Sequence, residues 1–199
     1  MTGYGPREGP VSPGGRTRAG GPSAPEGWLT RAATEHDAAA CAAIYAPYVT
    51  GTAITFENDP PTAAEMAERI RAACASHAWL VAEEGGQVAG YAYATPFKTR
   101  PAYRWTCEVS VYLAPGRHRA GGGRALYEAL FARLAERGFR SALAGMTLPN
   151  QASAALHRAM RFEQVGVFPR MGWKNGAWHD VAWLRRDIAA GADPPAEPR

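Results

Sequence analysis

The sequence predicts a single α/β (α+β) domain in which helices flank a mixed sheet. Segments with strand character lie near both ends of the chain, with helical segments between them. Two helix starts carry their own caps, Thr62 with Glu65 and Asn150. A glycine-rich turn joins an alternating strand to a long amphipathic helix.

Residues 1–26 are dominated by Gly and Pro. They have little to bury against their ordering entropy, so a disordered tail is expected there. Residues 189–199, rich in Pro, read the same way, which leaves one domain over 27–188. The domain opens with a short strand near Trp28–Ala32. Thr34 with Asp37 makes an imperfect capping box for a first helix that buries Ala40, Ile44 and Tyr45, with Pro47 weakening its last turn. Thr62 and Glu65 cap a second helix carrying Met66 and Ile70 at helical spacing. Trp79–Glu83 and Val88–Ala94 flank Gly85-Gly86 as a hairpin.

Pro96–Arg104 reads as a basic, aromatic loop. Glu108–Leu113 is a strand with Val109, Val111 and Leu113 on one face. The long helix runs over Arg124–Arg137 on Leu126, Leu130, Phe131 and Leu134, and Gly138 ends it. Ala142–Leu148 is the next strand, and Asn150 caps a helix to about Met160. Strands over about Glu163–Gly172 and Trp178–Arg186 complete the domain.

Composition narrows the function. In 199 residues, 46% are hydrophobic and 20% charged, the balance of an ordinary globular chain. No apolar run approaches the roughly 20 residues that span a bilayer, and no signal-peptide pattern opens the chain, so no membrane partner is expected. The three widely spaced cysteines fit neither a disulfide framework nor a metal site, and a reducing cytoplasm is the expected setting. The formal net charge is +4, but Lys and Arg are scattered, so an anionic small molecule is expected rather than nucleic acid.

The most informative stretch is Val109–Leu130. A strand ends, then Arg119-Ala120-Gly121-Gly122-Gly123-Arg124 opens a helix. A helix N-terminus offers unpaired N–H groups and the positive end of the macrodipole, and glycine lets a phosphate approach. Arg117, His118, Arg119 and Arg124 add charge, and the implied chemistry is pyrophosphate binding. A glycine-rich turn that merely caps an ordinary helix is the alternative. Neither a P-loop nor G-x-G-x-x-G spacing is present.

Val111-Tyr112-Leu113 followed by His118-Arg119-Ala120-Gly121-Gly122-Gly123 resembles the acetyl-CoA motif Q/R-x-x-G-x-G/A of the GCN5-related N-acetyltransferases, with His118 at the first position. The stretch Phe97 to Glu108 (FKTRPAYRWTCE) is similar to the phosphinothricin and methionine sulfoximine acetyltransferases. So are Leu148-Pro149-Asn150, Leu156-His157 and Gly176 to Val181 (GAWHDV). The resemblance runs in order over nearly all of residues 28–188. It implies a central twisted, mixed, mostly antiparallel sheet with flanking helices, acetyl-CoA as co-substrate, no metal, and a homodimer.

Acyl transfer to an amine needs a proton acceptor, stabilisation of the carbonyl oxygen, and alignment of the two reactants. Glu108 is the candidate base, because a partly buried carboxylate at the strand leading to the glycine turn has a raised pKa. The resemblance places the base there too, and it implicates His157 in catalysis. Tyr127 and Tyr112 are candidate acids for the leaving thiolate, unless they are core tyrosines. The resemblance assigns the oxyanion to a backbone N–H near Val109–Val111 and cofactor contacts to Val111–Leu113 and Arg119–Arg124, and Asn150 can both cap its helix and reach the cofactor. Lys98 and Arg100 suit a substrate carboxylate, with Tyr103 and Trp105 as an apolar wall and Phe56 and Tyr48 opposite. Arg161 stands where the family has Gly.

The expected function is N-acetylation of a small amino-acid-like substrate of phosphinothricin, methionine sulfoximine or methionine sulfone type. Two rivals remain at this point. One is an acetyltransferase for other amines, such as polyamines, antibiotics or protein N-termini. The other is a non-catalytic acyl-CoA-binding regulator.

Overall fold

The computed structural model describes residues 27–117, 120–191, 193 and 195–199. The expectations for residues 1–26, His118 and Arg119 lie outside the described residues. The elements in chain order are β1 (Leu29–Ala32), α1 (Ala38–Gly51), α2 (Ala63–Ser76), β2 (Ala78–Glu84), β3 (Gln87–Pro96) and β4 (Thr106–Leu113). Then come α3 (Gly122–Glu136), β5 (Ser141–Thr147), α4 (Gln151–Ala159), β6 (Glu163–Lys174) and β7 (Ala177–Asp187). Among the described residues no helix is long and apolar enough to cross a membrane.

Local chemistry sets the helix starts. The Thr62 hydroxyl accepts from the Glu65 N–H at 3.2 Å, and the Glu65 carboxylate accepts from the Thr62 N–H at 2.7 Å. Asn150 Oδ1 accepts from the Ser153 N–H at 3.0 Å, fixing the first turn of α4; such caps contribute about 1 kcal/mol. Thr34 and Asp37 close a box on a short 3₁₀ turn, Glu35–Asp37, and α1 begins only after it. Pro47 sits inside α1, which continues to Gly51. Gly138 follows α3 at φ +94°, the left-handed stop that glycine adopts without strain.

The sheet order is β1-β2-β3-β4-β5-β7-β6. Every neighbouring pair is antiparallel except β4 and β5. Alternation along β4 sends Cys107 and Val109 to one face and Glu108, Ser110 and Tyr112 to the other. The first face is covered by α3, whose Leu126, Leu130 and Leu134 are fully buried with Phe131 beside them. Each such side chain contributes about 1.5–3 kcal/mol by leaving water. The second face is covered by α1 and α2 through Ile44, Tyr45, Met66 and Ile70, packed on Trp79, Val81 and Tyr91.

One departure concerns the C-terminal residues. Where the sequence predicts a disordered tail over 189–199, described residues lie against the domain. Trp105 donates its indole N–H to Ala196 O at 2.8 Å, and Arg104 pairs with Glu197 at 2.6 Å. The Arg199 N–H also reaches Arg137 O at 2.9 Å. The donors on the domain supply partners that composition alone does not reveal.

Candidate active site

The site begins where two strands part. β4 and β5 pair in parallel only over Thr106–Glu108 and Ser141–Leu143. Beyond Glu108 they diverge, and the edge of β4 that faces β5 loses its strand partner. The resulting cleft is lined by Val109, Ser110, Val111 and Tyr112 on one wall and Ala144–Thr147 on the other, with Tyr127, Asn150 and His157 across it. Glu108 occupies the last paired position, at the closed end of the V.

Glu108 faces the α1–α2 side, opposite Thr95 of β3. Burial raises its pKa above the ordinary carboxylate value, and the Lys98 ammonium works in the other direction. Lys98 and Arg100 are both exposed. On the same face a larger cavity of about 400 Å³ lies between α2 and β2–β3, walled by Met66, Arg69, Trp79, Tyr91 and Tyr93 and reaching Thr95.

His157 is buried on α4, and its ring is committed on both nitrogens. Nδ1 lies 2.8 Å from the Ser153 carbonyl, which can only accept, so Nδ1 carries the hydrogen. Nε2 is therefore an acceptor, and the Tyr127 hydroxyl donates to it at 3.1 Å. Burial lowers the His157 pKa and holds the ring neutral, and it pushes the Tyr127 pKa far up. With its hydrogen committed to His157, Tyr127 presents oxygen lone pairs to the cleft.

The glycine turn lies at the N-terminus of α3. Gly121 takes φ +88°, and the first N–H groups of α3 have no acceptor within the helix. Gly122 and Gly123 have a second reason to be glycine. A Cβ at Gly122 would stand 2.7 Å from the Trp28 ring, and one at Gly123 would stand 3.0 Å from Leu156. The Trp28 indole N–H donates to Ala120 O at 2.8 Å, so the turn is bolted to the start of β1. Arg124 is exposed and pairs with Glu128 at 2.8 Å.

The structure thus gathers Val111, Tyr112, Tyr127, Asn150 and His157 around one cleft, with Glu108 at its end. Four expected wall residues make other contacts. Trp105 turns to the C-terminal segment because its indole donor finds Ala196 there. Tyr48 spends its hydroxyl on Leu113 O at 2.6 Å, and Tyr112 packs edge-on to Tyr45 and Tyr48. Tyr103 is 41% exposed and packs edge-on to Phe97, which in turn meets Trp183. Phe56 lies over Gly172 and beside His179.

Two residues beside the cleft escape the sequence reading. Ser153 sits four positions before His157 and fixes its tautomer, a spacing that a helical wheel reveals. Lys174 is buried at the end of β6 and carries no local signal.

A family model described as an acetyltransferase (GNAT) domain matches residues 30–183. The chain is 38% identical over 164 residues to the phosphinothricin N-acetyltransferase of Streptomyces viridochromogenes, covering 82% of this chain and 90% of that protein. It is 40% identical over 185 residues to the phosphinothricin N-acetyltransferase of Alcaligenes faecalis, covering 92% and 93%. A phosphinothricin acetyltransferase from Sinorhizobium meliloti, solved in complex with acetyl-CoA, superposes with a TM-score of 0.80 at 36% identity, covering 86% of this chain and 93% of that one. Glycine turn, splayed strands and sequence similarity agree, and the chain belongs to the GNAT family of acetyl-CoA-dependent N-acetyltransferases.

Proposed function

We propose that the chain acetylates the amino group of a small amino-acid-like substrate, of the phosphinothricin or methionine sulfoximine type, by direct attack in a ternary complex. The observation that carries this is the cleft between β4 and β5, with a raised-pKa carboxylate at its closed end and a neutral Tyr127–His157 pair on its wall. The names of the relatives support the substrate class.

Bound acetyl-CoA supplies an activated acyl group as a thioester. The N–H groups of Gly122, Gly123 and Arg124, which have no acceptor within the helix, suit its pyrophosphate together with the macrodipole of α3. The edge of β4 at Val109–Val111, which has no strand partner on the β5 side, suits its pantetheine arm and supplies a backbone N–H for the carbonyl oxygen. Asn150 caps α4 and also lines the cleft.

Two protons must move. A substrate ammonium must lose one before it can attack, and Glu108 accepts it. The second leaves as the amide forms. Tyr127 takes it on its oxygen while passing its own hydrogen to His157 Nε2, and the reverse transfer delivers a proton to the departing sulfur. Glu108 then returns its proton to solvent. Lys98 and Arg100, exposed ahead of Glu108, receive the substrate carboxylate, and Phe56 covers it.

We also infer a homodimer. β6 is an edge strand, and Val165, Phe168, Met171, Trp173 and Trp178 on the β6–β7 hairpin are 48–59% exposed. Such a surface is apolar enough to mark an interface. Sedimentation of wild type as a dimer and of Phe168→Glu as a monomer is the expected result; a wild-type monomer overturns it.

The function is tested by following thiol release from acetyl-CoA with phosphinothricin, methionine sulfoximine, methionine sulfone, plain amino acids and a polyamine. Release with the first three supports the substrate class. Release only with the polyamine contradicts it, and acetyl-CoA binding without any release contradicts catalysis.

A further inference from the structure

We propose that Lys174 is a positioning residue for the amine substrate, holding the loop that carries Phe56 and Ile54 against the cleft; this rests on the proposed role of that loop. Lys174 ends β6, far in sequence from the loop after α1. It is 6% exposed, and its Nζ donates to three backbone carbonyls, Val49 O, Thr55 O and Glu57 O, each at 2.7 Å. An ammonium has three N–H donors and no acceptor, so three carbonyls use it completely. A neutral amine, with two hydrogens and a lone pair, would leave one carbonyl facing that lone pair. Val49 lies in the last turn of α1, where carbonyls lack helical partners and favour a cation. Lys174 therefore ties the end of the helix to both sides of Phe56.

The loop is fixed from other directions as well. Arg69 of α2 clamps the Glu57 carboxylate with two hydrogen bonds of 2.8 and 2.9 Å. The Tyr45 hydroxyl lies 2.6 Å from Thr55 Oγ1 and 3.0 Å from Glu57. The Phe56 ring lies directly over Gly172, where a Cβ would come within 2.4 Å of it. The His179 ring, itself held by Lys174 O at 3.0 Å, stands on another side of Phe56. Ile54, between these anchors, lines the cleft. Among the described residues, the Lys174 ammonium hydrogen-bonds only to carbonyls of α1 and the loop after it, and to no cleft-lining side chain of β4, β5 or α3. Its removal should therefore free the loop and spare the acetyl-CoA side.

The test compares wild type with Lys174→Met, which keeps the apolar stem and removes the ammonium. Gly172→Ala serves as a second variant that pushes the Phe56 ring and leaves every carbonyl contact intact. KM for the amine, KM for acetyl-CoA and amide hydrogen exchange over residues 50–61 are measured on the full chain. The expected result for both variants is a rise of about tenfold or more in KM for the amine, with KM for acetyl-CoA within about twofold of wild type. Lys174→Met should also speed exchange over 50–61 while exchange in α3 stays protected. Unchanged KM for the amine and unchanged exchange over 50–61 in a folded Lys174→Met protein overturn the proposal. So does an equal rise in both KM values. Should Lys174→Met fail to fold, Gly172→Ala decides by the same split of KM values. Should wild type turn over no amine, the proposed function fails separately, and local exchange in Lys174→Met still decides whether the clamp exists.

Discussion

Gly122 separates two reasons for a glycine-rich turn. Sequence reading assigns the glycines to an approaching phosphate, whereas the structure puts the Trp28 ring beneath Gly122. A Cβ there would meet three atoms of the six-membered ring at 2.7, 2.7 and 2.8 Å. Trp28 is 5% exposed and its indole N–H is held by Ala120 O, so it has little room to yield. Overpacking of this kind costs about 1–3 kcal/mol. At about 2–4 °C per kcal/mol, Gly122→Ala should lower Tm by about 2–12 °C. Trp28→Leu withdraws the offending ring atoms. In that background, Gly122→Ala should cost less than about 0.5 kcal/mol, and the difference is the coupling between the two sites. Thermal unfolding of the four proteins, followed by circular dichroism, gives the cycle, and titration with acetyl-CoA runs beside it. An equal penalty in both backgrounds refutes the packing argument. So does a Gly122→Ala protein of full stability that has lost acetyl-CoA binding.

Other consequences are simpler to measure. Glu108 is raised by burial and lowered by Lys98, so activity should fall as pH drops through a pKa above the ordinary carboxylate value. Lys98→Met should move that acid limb of kcat/KM to higher pH, and a limb that stays in place contradicts the coupling. The same raised pKa means the folded state holds the Glu108 proton more tightly than the unfolded chain. Its stabilising contribution is present below the unfolded pKa and lost as pH rises through the folded one. Glu108→Gln should then melt higher than wild type near pH 8, and the gain should shrink toward pH 4. Tyr127→Phe leaves His157 Nε2 buried without a donor, which should cost about 1–3 kcal/mol and lower kcat; unchanged Tm and kcat would remove the pair from the account. Arg161 holds φ +61°, so Arg161→Gly should stabilise by up to about 1 kcal/mol, read as a Tm gain of a few degrees.

Local chemistry was legible in the sequence where it acts over a few residues. The Thr62–Glu65 box, the Asn150 cap and the Gly138 stop each rest on contacts within a turn, and the alternation of Val109, Val111 and Leu113 names the face of β4. Candidate residues on the cleft could be named: His157 through family resemblance, Asn150 from its capping position and Tyr127 as a possible acid. Their arrangement could not. The divergence of β4 from β5 is a long-range property with no local pattern. The Tyr127–His157 hydrogen bond joins positions 30 apart, and the Lys174 contacts span 117–125 residues. Trp105 carries a contact of the same long-range kind: a carbonyl 91 residues away accepts its indole N–H.

The central claim is acyl transfer to an amino-acid-like amine with Glu108 as proton acceptor. It is tested most directly by single-turnover acetylation of phosphinothricin, with wild type and Glu108→Gln both saturated with acetyl-CoA, as the N-acetyl product is followed by mass spectrometry. Wild type should give product, and Glu108→Gln should react about 10²–10⁴-fold more slowly with acetyl-CoA affinity retained. No product from wild type would contradict the substrate class, and equal rates from the two proteins would contradict the role of Glu108.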